Sequence, residues 1–140
     1  MKILKAEEFD FLEIRNLDKL IFKENVVDGK HIWKNWIEFC KVIKAVQDNK
    51  IVGVGLLIPT FKKYLFLHKI FIHPDFQGRG IGVKIMQRLL KDEDNDIYLT
   101  VKPSNKRAIN LYKKSGFDIL KRVKDFYGKG EERYFMVNKK

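Results

Sequence analysis

The chain has 140 residues, 45% of them hydrophobic and 13% aromatic, with a formal net charge of +11 and a pI near 9.7. That is apolar material for one packed domain, read as 1–140, and too much for a disordered chain. A single cysteine, Cys40, excludes an intramolecular disulfide and a cysteine-rich zinc site, and no apolar run approaches the ~18 residues of a membrane-spanning helix.

The positive charge invites an anionic partner. It comes without a block of like charges or an RNA-binding motif, so nucleic acid is not the expected one. Glu7 and Glu8 stand where a signal peptide would be apolar, which predicts a cytoplasmic chain. The composition is compatible with a monomer or a homodimer, and no metal is expected.

In chain order, Met1 to Lys5 reads as a short edge strand. Glu7 to Phe22 carries Phe11, Ile14, Leu17, Leu20 and Ile21 at helical spacing. Asn25 and Asp28-Gly29 break that helix. His31 to Cys40 places Ile32, Trp33, Trp36, Ile37 and Cys40 on one side of a second helix, an aromatic stripe read as core. In that neighbourhood Cys40 reads as a buried thiol rather than a nucleophile. Val42 to Gln47 and Lys50 to Ile58 form a hairpin across Asp48-Asn49. Gly53 and Gly55 in its second strand announce a close backbone approach or a bulge. Tyr64 to Ile72 is nearly continuously apolar and predicts a central strand covered on both faces.

The next stretch, Gln77-Gly78-Arg79-Gly80-Ile81-Gly82, is the most informative. It joins that strand, through His73-Pro74-Asp75-Phe76, to an amphipathic helix with Ile81, Ile85, Met86, Leu89 and Leu90 inward. A glycine-rich turn at a helix N-terminus presents unpaired N–H groups and the positive end of the helix dipole to a phosphate. Two nucleotide patterns fail on residue identity. The dinucleotide fingerprint needs glycine where Val83 stands, and a P-loop needs Gly-Lys-Ser/Thr where the chain reads Gly82-Val83-Lys84-Ile85.

Beyond it, Ile97 to Val101 is a strand ended by Lys102-Pro103-Ser104. Ser104 or Asn105 caps a helix running through Lys114, and Gly116 stops it. Phe117 to Lys124 and Glu132 to Asn138 are the last strands, joined by Asp125 to Gly130. The sum is an α/β chain: a mixed sheet with helices on both faces.

Gln-Gly-x-Gly-Ile-Gly after a His-Pro-x-Phe strand exit resembles the acetyl-CoA site of the GNAT N-acetyltransferase superfamily. Asn105, Ala108-Ile109, Leu111-Tyr112 and Ser115-Gly116-Phe117 continue the resemblance in order and spacing, so it covers Leu65 to Phe117. It implies an enzyme that moves an acetyl group from acetyl-CoA to a primary amine by direct attack.

The resemblance also implies roles. N–H groups of Gln77, Gly78, Arg79, Gly80, Ile81 and Gly82 hold the pyrophosphate. Backbone groups of Ile70, Phe71 and Ile72, on a strand splayed from Ile97–Val101, bond the pantetheine arm, and one of their N–H groups polarises the thioester. Asn105 contacts the pantetheine, and Arg79, Lys84 and Lys106 are candidates for the 3′-phosphate. Tyr112 occupies the general-acid position.

Phe126-Tyr127 resembles the paired-aromatic loop that lies over the substrate backbone in protein N-terminal acetyltransferases. Tyr127 and Phe22 are thus acceptor-side candidates, with the Phe22–Gly29 loop as a wall. The chain departs from that branch at Thr100, where relatives carry a glutamate base. Threonine cannot serve as a base, which leaves water or His68. A protein or peptide N-terminus is the first acceptor. A polyamine, which Glu131 and Glu132 would attract, is the second. A non-catalytic acyl-CoA-binding module is the rival class.

Overall fold

The computed structural model describes residues 1–23 and 31–140. The turn expected over residues 25–29, and with it most of the expected acceptor wall, lies outside them. The elements are β1 (Lys2–Lys5), a 3-10 turn (Glu8–Asp10), α1 (Phe11–Ile21), α2 (Ile32–Phe39), β2 (Lys41–Gln47), β3 (Lys50–Pro59) and β4 (Tyr64–Ile72). A second 3-10 turn (Pro74–Phe76), α3 (Ile81–Leu90), β5 (Asp96–Val101), α4 (Lys106–Lys114), β6 (Asp118–Val123) and β7 (Arg133–Asn138) complete the chain. The sheet order is β1-β2-β3-β4-β5-β7-β6, with β4 and β5 parallel and β1/β2, β2/β3, β5/β7 and β6/β7 antiparallel. By compactness the chain divides into Met1–Ile58 with His68–Lys91, and Pro59–Leu67 with Asp92–Lys140. β4 contributes a segment to each.

In the first unit, β2 and β3 are joined by Asp48 and Asn49, both at positive φ (52° and 64°), the geometry of a two-residue type I′ hairpin. The register slips between Ala45 and Val46, leaving Val52 as an extra residue on β3. The slip reverses the alternation, so Ile51 joins Val54 and Leu56 in the core cluster of Ile14, Leu17, Trp33, Ile37 and Phe71. Its polar groups are satisfied from outside the hairpin. Glu13 Oε2 accepts the Ile51 N–H at 2.7 Å, and Val52 O accepts the His73 N–H at 2.8 Å.

The other face of β3 carries the two glycines. A Cβ at Gly53 would lie 2.9 Å from Ile85 Cδ1, and one at Gly55 2.6 Å from Leu89 Cδ1, both on α3. Glycine therefore lets α3 lie directly on the strand, while α1 and α2 cover the opposite face. Close approach and bulge, alternatives in the sequence, are both present.

Two expectations need correction. Leu20 does not join the α1 core face: it is exposed, whereas Ile14 and Leu17 are buried. At ~100° per residue it lies about 120° around the helix from Ile14, on the rim. β4 is not covered on both faces either. Only Leu67 and Phe71 are buried and His68 is exposed, and the ladder with β5 spans only Tyr64–Phe66 against Asp96–Tyr98.

In the second unit, Ile97, Leu99 and Val101 are buried with the period-2 pattern of a strand covered on one side, and Ile109, Phe117 and Met136 pack in the same unit's core. The α4 C-terminus is closed by Phe117 N–H to Tyr112 O (3.0 Å) and Gly116 N–H to Lys113 O (3.1 Å), with Gly116 at φ 93°. Asn138 Nδ2 donates to Ser115 O at 3.1 Å and sits 2.9 Å from where a Gly116 Cβ would be. Glycine is required there both by backbone angle and by space.

Candidate functional site

The glycine turn is built from backbone. Pro74 opens the 3-10 turn that precedes it, and His73 Nδ1 caps it by accepting the Asp75 N–H at 3.1 Å. Gly78 (φ 79°) and Gly80 (φ 78°) both adopt the left-handed conformation, which L side chains disfavour. A Cβ at Gly80 would meet nothing within 4 Å, so the backbone angle, not crowding, selects glycine.

Gly80 is the N-cap of α3 and brings no capping side chain. The first N–H groups of the helix thus keep their donors for an anion, as the sequence motif requires. Gln77 Nε2 reaches back to Ile72 O (3.3 Å), tying the turn to the end of β4. Arg79 folds back as well: it donates to Asp75 O at 3.2 Å and its guanidinium lies 5.0 Å from the centre of the Phe76 ring. The side chains of Phe71 and Ile81 are buried in the core, so only their main chains can serve a ligand. Ile70 and Ile72 are half-buried on the part of β4 beyond its ladder with β5.

In the second unit, Asn105 is the α4 cap: its Oδ1 accepts the Ala108 N–H at 3.2 Å, which decides against Ser104. In the last turn of α4, Tyr112 is half-buried with its ring 6.0 Å from that of Phe117. Desolvation pushes its phenol up to about 12. The hydroxyl has no partner among the described residues.

Thr100, on β5, hydrogen-bonds across to the Tyr127 hydroxyl at 3.2 Å. Tyr127 is exposed, with the Arg133 guanidinium 4.8 Å from its ring centre. The neighbouring acids are already engaged. Arg122 Nη2 donates to Glu132 Oε2 at 2.7 Å, and Arg133 Nη1 donates to Glu131 Oε2 at 3.1 Å.

His68, exposed on β4, packs its ring edgewise on Trp36 at 5.4 Å. Phe22 packs edgewise on Phe71 at 5.8 Å. Between them lies an ion pair that sequence reading missed. Lys69 Nζ donates to both Asp18 oxygens at 3.0 Å, and Trp33 Nε1 donates to Asp18 Oδ2 at 2.9 Å. The only sequence signal was a lone lysine in an apolar strand. Cys40 is half-buried and desolvation raises its thiol pKa, which favours the protonated form. Among the described residues no cluster of three or more His, Cys, Asp and Glu is arranged to hold a metal, and no helix is long and apolar enough to cross a membrane.

Comparison with known proteins gives a consistent family. A curated "N-alpha-acetyltransferase" of Sulfurisphaera tokodaii is 36% identical over 85 residues, which are 57% of this chain and 51% of that protein. An "Uncharacterized N-acetyltransferase" of Methanocaldococcus jannaschii is 39% identical over 139 aligned positions, covering 83% of this chain and 58% of its own length. The chain thus spans about half the length of these curated relatives. The fold matches the crystal structure of a ribosomal-protein-alanine N-acetyltransferase from Brucella melitensis with a TM-score of 0.85 over 98% of both chains, at 17% identity. The model of the acetyltransferase (GNAT) family matches residues 8–117, and the chain belongs to that family.

Proposed function

We propose that this chain, acting as a single acetyltransferase domain over 1–140, transfers an acetyl group from acetyl-CoA to the α-amino group of a protein or peptide. The observation that carries the cofactor half is the uncapped α3 N-terminus behind two left-handed glycines, Gly78 and Gly80. A pyrophosphate is the anion such a run of N–H donors accommodates, and the amides of Gln77 to Gly82 would hold it. The backbone of Ile70 to Ile72 would bond the pantetheine as an added strand, with Asn105 as a further contact.

The acceptor amine attacks the thioester carbonyl. An N–H of the Ile70–Ile72 run would stabilise the oxyanion, the carbon–sulfur bond breaks, and the Tyr112 hydroxyl would donate to the departing sulfur. An α-amine, with a pKa near 8, is partly neutral at physiological pH and needs little help to lose its proton. Water or His68 would take that proton. Phe22 and Tyr127 would contact the acceptor. The name of the Sulfurisphaera relative supports the α-amine reading. The arginine partners of Glu131 and Glu132 weigh against the polyamine reading, because they neutralise the charges a polycation would seek.

Two measurements test this. Isothermal titration with acetyl-CoA should show micromolar binding, and none at high micromolar concentration would sink the cofactor assignment. A panel of N-terminal peptides against spermidine, read by release of free coenzyme A, decides the acceptor. Faster turnover of spermidine would overturn the α-amine assignment, and binding without turnover of any amine would leave a non-catalytic acyl-CoA module.

A further inference from the structure

We propose that Thr100 is a positioning residue whose hydroxyl anchors Tyr127 and thereby sets the hairpin over residues 125–131 for the acceptor. The inference rests on the acceptor role given to Tyr127 above. It replaces the chemical role of this strand position in relatives with a mechanical one.

Tyr127 is 58% exposed, a condition in which a side chain ordinarily samples several rotamers. Here it is held on three sides. Its hydroxyl meets Thr100 Oγ1 at 3.2 Å, its ring face meets the Arg133 guanidinium at 4.8 Å, and the Phe126 ring stands edgewise at 4.7 Å.

The bonds inside the hairpin fix only its own shape. Gly130 N–H donates to Asp125 Oδ1 at 2.7 Å, Glu131 N–H to Gly128 O at 2.9 Å, and Tyr127 N–H to Glu131 O at 3.4 Å. What ties it to the sheet, besides Arg133 of β7, is a matched pair of contacts. Thr100 and Phe135 are directly opposite in the β5/β7 ladder, so their side chains share one face. Tyr127 bonds the first, and Phe126 packs edgewise on the second at 4.8 Å. Two consecutive aromatics of the hairpin are thus seated on one cross-strand pair. A tyrosine ordered in advance while still open to solvent is organised for a ligand, since its ordering cost does not recur on binding.

The test compares Thr100→Val, Thr100→Ser and Tyr127→Phe in the full chain. Limited trypsin digestion, followed by mass spectrometry at the Lys129–Gly130 bond, reads hairpin anchoring without any activity. Steady-state kinetics with the best N-terminal peptide read its consequence. Valine keeps the shape of threonine, and a thermal melt checks that the variants fold.

Loss of one exposed hydrogen bond should speed cleavage at Lys129 and raise the peptide KM by about two- to tenfold in Thr100→Val and Tyr127→Phe. The KM for acetyl-CoA should stay the same, and Thr100→Ser should restore both readouts. Unchanged cleavage in Thr100→Val would overturn the proposal. So would a fall in kcat with cleavage and peptide KM unchanged, which would return Thr100 to a chemical role. If no amine is acetylated while cleavage still responds as stated, the anchor stands and the acetyl-transfer reading falls.

Discussion

The role of Tyr112 can be tested by removing one oxygen atom. In Tyr112→Phe the ring keeps its place against Phe117, and no described residue loses a hydrogen-bond partner. The variant should therefore fold with near-native stability. Proton donation by a positioned acid contributes ~10²–10⁴-fold in rate. Desolvation puts this phenol at about 12. A free thiolate of ordinary basicity has a conjugate acid near ~8.5, so complete transfer to it would be uphill by roughly 3.5 units, or ~4.8 kcal/mol. The phenol should then act chiefly as a hydrogen-bond donor while the carbon–sulfur bond is still breaking. The expected loss in kcat lies at or below the lower limit of that range, about 10- to 100-fold, or ~1.4–2.7 kcal/mol. The pH profile supplies an independent check. A raised pKa keeps the acid protonated through the assay range, so kcat/KM should rise through the amine's own pKa near ~8 and then stay level to at least about pH 10. Release of coenzyme A from acetyl-CoA and a peptide amine, followed from pH 6 to 10, measures both. An unchanged kcat in Tyr112→Phe would remove the acid role. A fall in activity below pH 10 that vanishes in the variant would show that the phenol ionises in its ordinary range.

The same shift has a stability consequence. A folded pKa of about 12 against an unfolded value near ~10 favours the neutral fold, so the contribution is complete below pH 10 and is lost as pH rises through 12. The wild-type Tm should fall more steeply than that of Tyr112→Phe over that window, and parallel curves would contradict the burial argument. Gly80→Ala introduces no clash but forces alanine to φ 78°, a strain of about 1–2 kcal/mol. By calorimetry it should weaken acetyl-CoA, with Gly80→Asn affected less. Equal affinities would show that the turn's backbone does not carry the phosphate. Gly55→Ala places a methyl group 2.6 Å from Leu89 Cδ1 and 2.7 Å from Ile85 Cγ2, both on fully buried side chains. Overpacking of about 1–3 kcal/mol should lower its Tm by several degrees, and an unchanged melt would mean α3 can shift at little cost.

How much of this was legible in the sequence depends on what each feature is made of. Gly53, Gly55, Gly78 and Gly80 could be read because each marks a place where any side chain would clash or strain, and such a demand shows as a residue type at a fixed spacing. The α4 cap, narrowed to Ser104 or Asn105, and the Asp48-Asn49 turn are legible for the same reason: local backbone geometry selects few residues. The errors arose where the answer depended on a distant partner. Leu20 met the spacing rule but falls on the rim of its helix, and β4 is largely apolar although its ladder with β5 ends at Phe66. Periodicity specifies a face and does not say how far the covering element extends. The Asp18–Lys69–Trp33 arrangement joins positions 15 to 51 residues apart, and no pattern in one sequence links them.

The same distinction separates the two halves of the proposed reaction. A pyrophosphate held by main-chain N–H groups needs a particular backbone path, so its recognition is recorded in glycines. An acceptor amine would be met by side chains whose meaning changes with their partners. Glu131 and Glu132 show this. As a pair beside a glycine loop they suggest an attraction for polycations, but each carboxylate is bonded to an arginine. The stretch from Arg122 to Arg133 holds four basic and three acidic residues, so the hairpin offers little field to a polyamine. What it does present is an aromatic surface, Phe126 and Tyr127, set in place by uncharged contacts with Phe135 and Thr100. A surface of that kind suits the main chain and small side chains of a peptide terminus better than it suits a flexible multiply charged amine. Acceptor choice would then depend on how the hairpin is seated rather than on its net charge.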